Sequence, residues 1–225
     1  MPSQFSVIED NSQFIVIDKA PNVDFHTIDD VLGIVELVKR YLKLEQLYPV
    51  HRLDRMTSGL IIFAKTKPVA AKFGQLFESR KIEKYYLAIS DKKPKKKQGL
   101  IKGDMKKGRN GSYLLLKTTI NPAITQFFSY SIAPSIRCYL LKPHSGKTHQ
   151  LRVAMKSIGA PILGDDRYYP NNTKEQGYLH AWRLSFVLGE QQFCFQTNPK
   201  WSIEGLLTWL DNIGNIDDIV WPKLS

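Results

Sequence analysis

Short runs of β-forming residues follow one another along the chain, broken by a few isolated helical patterns and with no repeated strand-helix-strand unit. That order argues for an α+β sheet protein rather than an alternating parallel one. Strands are expected at 5–9, 13–18, 59–65, 82–89, 112–120, 136–142, 179–188 and 192–197. Helices fit three stretches. Asp29 to Leu42 carries apolar residues at 31, 34, 35, 38, 41 and 42, and Pro68 opens a run ending near Arg80, as a proline in a first turn does. Thr148 to Ile158 sets Leu151, Met155 and Ile158 on one face, with Gly159 as the stop. With 225 residues, 43% of them hydrophobic, the chain can bury one large core or two modest ones. No repeat or long linker is evident, so residues 1–225 are read as one domain.

The segment His51-Arg52-Leu53-Asp54-Arg55-Met56-Thr57-Ser58-Gly59-Leu60 places one acidic side chain between two arginines, ahead of the apolar run GLIIFA. An Asp beside an Arg is ordinarily an exposed ion pair contributing ~0 to 1 kcal/mol. Here small and polar residues crowd into a turn that feeds directly into a buried-strand pattern. Polar clusters at the mouth of a rigid strand are where functional sites concentrate. Asp54 is therefore read as a held carboxylate.

HRLDRMTSGL followed by IIFAKT closely resembles the catalytic signature of the RluA-type RNA pseudouridine synthases, and the resemblance makes Asp54 the essential residue. Lys142 to Tyr168, KPHSGKTHQLRVAMKSIGAPILGDDRY, is similar to that family's basic-residue motif and the GxPIxGDxxY run after it. Between these, Lys84-Tyr85-Tyr86-Leu87-Ala88 matches the family's KxYxA segment, which places the active-site tyrosine at Tyr86. His180 to Phe186, HAWRLSF, resembles its HAxxLxF strand. Asp18 to His26 follows DKPxGxxxH less closely, with Ala20 for proline and Asn22 for glycine. Asn is the non-glycine residue that best accepts a left-handed backbone, so the turn is expected to survive. Ala154 stands where relatives commonly have histidine. The resemblance implies a mixed, mostly antiparallel central sheet with flanking helices and a central cleft, and it implies no separate N-terminal RNA-binding module.

Lys plus Arg exceed Asp plus Glu by 32 to 21, a net charge of +11 that suggests a polyanionic partner. Residues 91–113 hold nine Lys or Arg against Asp91 and Asp104, so +7 of the total sits there. A charge run is usually a solvated loop. This one contains four glycines and is bracketed by strand patterns, so it is expected to be a flexible basic hairpin whose Lys95, Lys96, Lys106 and Lys107 meet RNA phosphates.

Cys138 and Cys194 lie far apart in strand-like segments and read as core residues of a reducing compartment. The five histidines show no zinc-site spacing, and no metal or cofactor is expected. The N-terminus lacks a charged start and apolar core, and LIIFA is far short of the ~20 residues that span a bilayer, so a cytoplasmic protein with no membrane partner is expected, working as a monomer.

For the reaction the resemblance implies, the bond from the ribose anomeric carbon to a ring nitrogen breaks, the freed uracil turns in place, and it rejoins through carbon-5. A carboxylate can attack the anomeric carbon or remove a neighbouring ribose proton, and both routes need Asp54 ionised. A cation within about 4 to 6 Å keeps a desolvated carboxylate charged. The family's basic residue maps onto Arg152, which is assigned the ion pair with Asp54. Tyr86 can stack on uracil and assist removal of the carbon-5 proton, whereas Tyr85 must point to the other side of its strand. Arg52 is expected to open the duplex or hold phosphate, His51 to orient the loop, Lys147 and His149 to contact the RNA backbone, and Leu151 to line an apolar wall. The expected substrate is a structured stem-loop of ribosomal or transfer RNA from which the uridine is flipped. A non-catalytic RNA-binding or RNA-chaperone protein of the same fold is the competing reading. A glycoside hydrolase would want a second carboxylate, for which only Asp165 or Asp166 offers itself.

Overall fold

A computed structural model describes residues 3–172 and 174–224. In chain order its elements are β1 (Phe5–Asp10), β2 (Phe14–Lys19), α1 (Ile34–Tyr41), β3 (Tyr48–Pro49), β4 (Ser58–Ala64), α2 (Lys67–Glu78), β5 (Glu83–Ser90) and β6 (Gln98–Gly103). There follow β7 (Met105–Lys107), β8 (Tyr113–Leu115), β9 (Ala123–Ala133), β10 (Ile136–Pro143), α3 (Gln150–Ser157), β11 (Leu179–Leu188), β12 (Gln191–Gln196) and α4 (Leu206–Asn212). They divide into two compact units. The first joins Met1–Lys84 with His180–Pro199, and the second joins Tyr85–Leu179 with Lys200–Ser225.

In the first unit the strands run β1-β2-β4-β11, with β3 beside β4 and β12 beside β11. All pairs are antiparallel except β4 with β11. Strands β2 and β4 are buried at every position, which is why FIVIDK and SGLIIFA read as continuous apolar runs rather than alternating ones. Phe14 anchors the core, edge-on to Phe73 of α2 and to Phe193 of β12, at 5.7 and 5.1 Å between ring centroids. Such pairs add about 0.5 to 1.5 kcal/mol each beyond the area they bury.

The second unit has the fully antiparallel order β5-β10-β9-β6 and a separate two-stranded hairpin, β7-β8. Tyr85 and Tyr86 do point oppositely: Tyr85 is buried and its hydroxyl accepts from Lys142 Nζ at 3.0 Å, while Tyr86 is half-buried. α4 and the residues after it lie on the same sheet, with Trp209 of α4 against Tyr130 and Trp221 against Phe128 and Tyr85.

The mostly antiparallel α+β architecture agrees with the sequence reading, and several element boundaries do not. Helix α1 begins at Ile34 rather than Asp29, because Ile28 and Val31 exchange backbone hydrogen bonds across a turn in which Asp29 is left-handed (φ 50°). The strand expected to reach 120 stops at Leu115. Beyond it the Asp104 carboxylate takes the N–H groups of Ile120 and Asn121 and turns the chain away from the hairpin. Cys138 is buried, and its thiol is pushed well above the ordinary range by desolvation, but Cys194 is exposed, on the opposite side of β12 from Phe193 and Phe195. Residues 91–113 are not one flexible arm. β6 lies inside them and pairs with β9 from Gln98 to Gly103, so Lys95 and Lys96 precede that strand while Lys106 and Lys107 follow it. A six-residue strand separates the two lysine pairs by roughly 17 Å or more.

Candidate active site

In the first unit, Asp54 sits half-buried at the start of a tight turn whose Thr57 N–H donates to the Asp54 carbonyl at 3.0 Å. The turn is held from below by Lys19, the last residue of β2. Lys19 is 1% exposed, and its ammonium donates to the carbonyls of Ala20 (2.9 Å), Val23 (3.0 Å) and Arg55 (3.2 Å). Asn22 N–H donates to the same Arg55 carbonyl at 2.8 Å, and Asn22 is left-handed (φ 62°), so asparagine does accept the conformation that glycine would supply. Burial lowers the Lys19 pKa to about 8, opposed by the negative charges of Asp24 and then Asp54. The Asp54 carboxylate thus favours the charged form of the Lys19 ammonium from an adjoining segment. The sequence reading missed Lys19, since nothing in a DK dipeptide separates a buried lysine from an exposed one.

The other side of the turn is fixed by His51. Its Nε2 accepts the Ile62 N–H at 2.9 Å, and its ring lies 5.1 Å from that of Phe77. Desolvation first, and then the nearby Lys84 charge, push its pKa down to about 3, so the imidazole is neutral and can accept. That geometry orients the loop, and the accepting nitrogen is used by the backbone. Arg52 is exposed, its guanidinium 5.5 Å from the centre of the Phe25 ring. Gly59 has φ +105°, and a Cβ there would stand 2.3 Å from the Ala181 carbonyl oxygen. No other residue allows β4 to meet β11 at that register. One residue earlier, Ser58 Oγ and His180 Nδ1 are 2.9 Å apart. His180 Nε2 lies 2.8 Å from the Thr197 carbonyl, to which it must donate, so in the neutral imidazole Ser58 donates to Nδ1.

In the second unit the basic motif forms the entry to α3. Gln150, 5% exposed, pins that entry: its side-chain oxygen accepts from Ser145 Oγ (2.8 Å) and Lys147 N–H (3.0 Å), and its amide donates to Ile124 O and Thr125 Oγ1. His149 precedes the helix in a left-handed conformation (φ 56°), and Lys147 Nζ donates to Asn121 Oδ1 at 2.9 Å. Leu151 and Arg152 are both buried in the first turn. Arg152 makes a two-pronged pair with Asp165, Nε to Oδ2 at 2.8 Å and Nη2 to Oδ1 at 2.7 Å, and Asp165 Oδ1 also accepts the N–H groups of Arg167 and Tyr168. Gly164 (φ +72°) makes this loop possible, since a Cβ there would lie 1.9 Å from the Gln176 carbonyl. Asp165 is therefore the anchor of the arginine, and sequence reading treated it only as part of a motif. Lys95, Lys96, Lys106 and Lys107 are all exposed. Among the described residues no three His, Cys, Asp or Glu side chains converge in a way that could hold a metal ion. No helix among the described residues is long and apolar enough to cross a membrane.

One unit thus presents an aspartate on a clamped turn and the other a clamped guanidinium. The model of the RNA pseudouridylate synthase family matches residues 13–157. The chain is 50% identical over 184 residues to an RNA pseudouridine synthase of Haemophilus influenzae, covering 81% of this chain and 82% of that one. It is 34% identical over 158 residues to the ribosomal large subunit pseudouridine synthase C of Rickettsia bellii, covering 66% of this chain and 51% of that one. The chain belongs to the RNA pseudouridylate synthase family and is an enzyme of the pseudouridine-forming isomerase class. The solved structure of human RNA pseudouridylate synthase domain containing 1 shares the fold, with a TM-score of 0.72 at 23% identity over 87% of this chain and 83% of that one.

Proposed function

We propose that the protein isomerises a specific uridine to pseudouridine in a structured stem-loop of ribosomal or transfer RNA, with Asp54 as the catalytic carboxylate and no cofactor. The observation that carries this reading is the turn holding Asp54, clamped on one side by the Lys19 ammonium and on the other by neutral His51. A turn so held pre-positions the residue it carries. Tyr86 from β5 stacks on the uracil, and Arg152 is the basic residue of the reaction. Asp165 holds the arginine in a fixed orientation, which an exposed arginine would lack. Neither Asp165 nor Asp166 is needed as an acid, because the leaving uracil stays in the site and is re-used.

Arg52, Lys147, His149 and the exposed lysines 95, 96, 106 and 107 contact the RNA backbone, and Leu151 backs the apolar wall. The two units act as one catalytic domain, since the family match runs from the first into the second. The protein works as a cytoplasmic monomer. Ribosomal RNA is favoured over transfer RNA by the chain's likeness to ribosomal large subunit synthases such as that of Rickettsia. Pseudouridine mapping across total RNA, from cells with and without the gene, tests the reading. One or a few uridines should lose the modification on deletion and regain it with the wild-type gene but not with Asp54→Asn. An unchanged map would leave the non-catalytic RNA-binding reading in its place.

A further inference from the structure

We propose that Tyr168 is a positioning residue that ties the basic β7-β8 hairpin to the start of α3, so that RNA phosphates engaged by the hairpin are held in register with Arg152. The inference rests on the reading of this protein as an RNA-modifying enzyme and adds to it a residue to which the sequence motif assigns no role.

Tyr168 is 4% exposed and lies where three local structures meet. On one side its hydroxyl accepts the backbone N–H of Tyr113, the first residue of β8, at 2.8 Å. On another it lies 3.0 Å from Nδ1 of His149, the residue before α3. With the Tyr113 N–H on one lone pair, the hydroxyl keeps its proton and a second lone pair for His149 Nδ1, so either tautomer of the imidazole can be held there. The His149 ring stands edge-on to both tyrosines, 5.7 Å from each. The face of the Tyr168 ring receives the Arg152 guanidinium at 5.1 Å and Lys156 Nζ at 5.6 Å. Its own N–H donates to Asp165 Oδ1 at 3.0 Å, the carboxylate that grips Arg152.

The ring therefore belongs to the arginine and the hydroxyl to the hairpin. Arg167 adds a neighbouring contact, donating to the Asn110 carbonyl in the turn between β7 and β8. Lys106, Lys107 and Arg109 project from this same hairpin and turn and are exposed. An isolated two-stranded hairpin is at best marginally stable in water, so its usefulness as a phosphate grip depends on such an anchor. With the anchor, phosphate binding on the hairpin is felt at the helix start. Without it, the hairpin still carries its charge but no longer fixes the RNA relative to Arg152.

Tyr168→Phe separates the two roles, because it keeps the ring under the arginine and removes only the hydroxyl. Steady-state kinetics on a pool of unmodified ribosomal and transfer RNA transcripts should show the apparent KM rising about five- to tenfold, as loss of one or two hydrogen bonds gives, with kcat within about twofold. In a Lys106→Ala/Lys107→Ala/Arg109→Ala background the same change should raise KM by less than about twofold, since the hairpin then has little to transmit. A fall in kcat with KM unchanged, or the full KM effect persisting in the neutralised background, overturns the proposal. A purely structural role would lower the melting temperature and leave both constants of the folded enzyme alone, which also overturns it. If the wild-type protein forms no pseudouridine in any transcript, the enzymatic reading fails instead. Binding titrations of the same transcripts still test the hairpin, by the same non-additivity in affinity.

Discussion

Lys19→Met tests the clamp beneath Asp54. The ordinary lysine pKa of 10.5 falls to about 8 in the fold, chiefly through desolvation. Relative to the unfolded chain, the fold therefore weakens the charged form against the neutral amine by roughly 3.4 kcal/mol, at 1.36 kcal/mol per unit. Methionine fills similar space without that penalty but leaves the carbonyls of Ala20, Val23 and Arg55 without their ammonium donor, at about 1 to 3 kcal/mol for each one that stays buried and unpaired. The Arg55 carbonyl keeps the Asn22 N–H, so two carbonyls lose their donor, and the opposing terms leave the variant's stability at pH 7 within about 3 kcal/mol of wild type, while activity falls because the Asp54 turn is no longer drawn to β2. The pH dependence carries the sharper test. Between pH 8 and 10.5 the unfolded chain binds a proton at Lys19 that the folded chain has released, so wild-type stability rises with pH across that window. Relative to Lys19→Met, in which all other titrations cancel, wild type should gain about 2.5 kcal/mol between pH 7 and pH 10. Urea unfolding of both proteins at several pH values measures the difference. A flat difference, or one that moves against wild type, refutes the buried-ammonium account.

Arg152→Met should destabilise the protein by about 3 to 5 kcal/mol, because it strands the fully buried Asp165 carboxylate. Adding Asp165→Asn should recover most of that loss in thermal unfolding without restoring pseudouridine formation. Charge reversal at Lys106 and Lys107 should weaken RNA binding and flatten the log-log salt slope by roughly 0.7 to 0.9 per lost phosphate contact, and Lys95 and Lys96, on the far side of β6, should do so independently. Additive slopes in binding titrations fit two grips, and a slope untouched by either pair returns those lysines to the solvated surface. Gly59→Ala should destabilise by more than about 3 kcal/mol in a denaturant titration, since the new Cβ meets the Ala181 carbonyl and the residue must keep φ +105°. Near-wild-type stability there would mean that β4 and β11 do not meet as described.

The strands buried on both faces, β2 and β4, were legible because continuous apolar runs have few other uses, and the Asn22 turn because few non-glycine residues tolerate it. β9 was not. Its Gln126 and Ser129 look like loop residues, yet both are buried and are satisfied by partners distant in sequence or across the sheet: His144 and Pro222 for the glutamine, Arg137 for the serine. α4 is too short for periodicity to show, and its preceding Gly205 is set by a close approach to the Ile132 carbonyl. Asp54, Tyr86 and Arg152 could be put forward as site residues from motifs, because those motifs are local. Lys19, Gln150 and Asp165 could not be given their roles, because each depends on groups that only the folded chain brings within reach.

Tritium release from carbon-5-labelled uridine in bulk cellular RNA, compared between wild type and Asp54→Asn, tests the central claim most directly. The amide keeps the shape of the side chain but can act neither as nucleophile nor as base. The account predicts release from wild type and none above background from the variant, with RNA affinity held within a few-fold. A variant that keeps about a tenth or more of wild-type turnover would contradict the assignment of Asp54 as the residue on which the reaction depends.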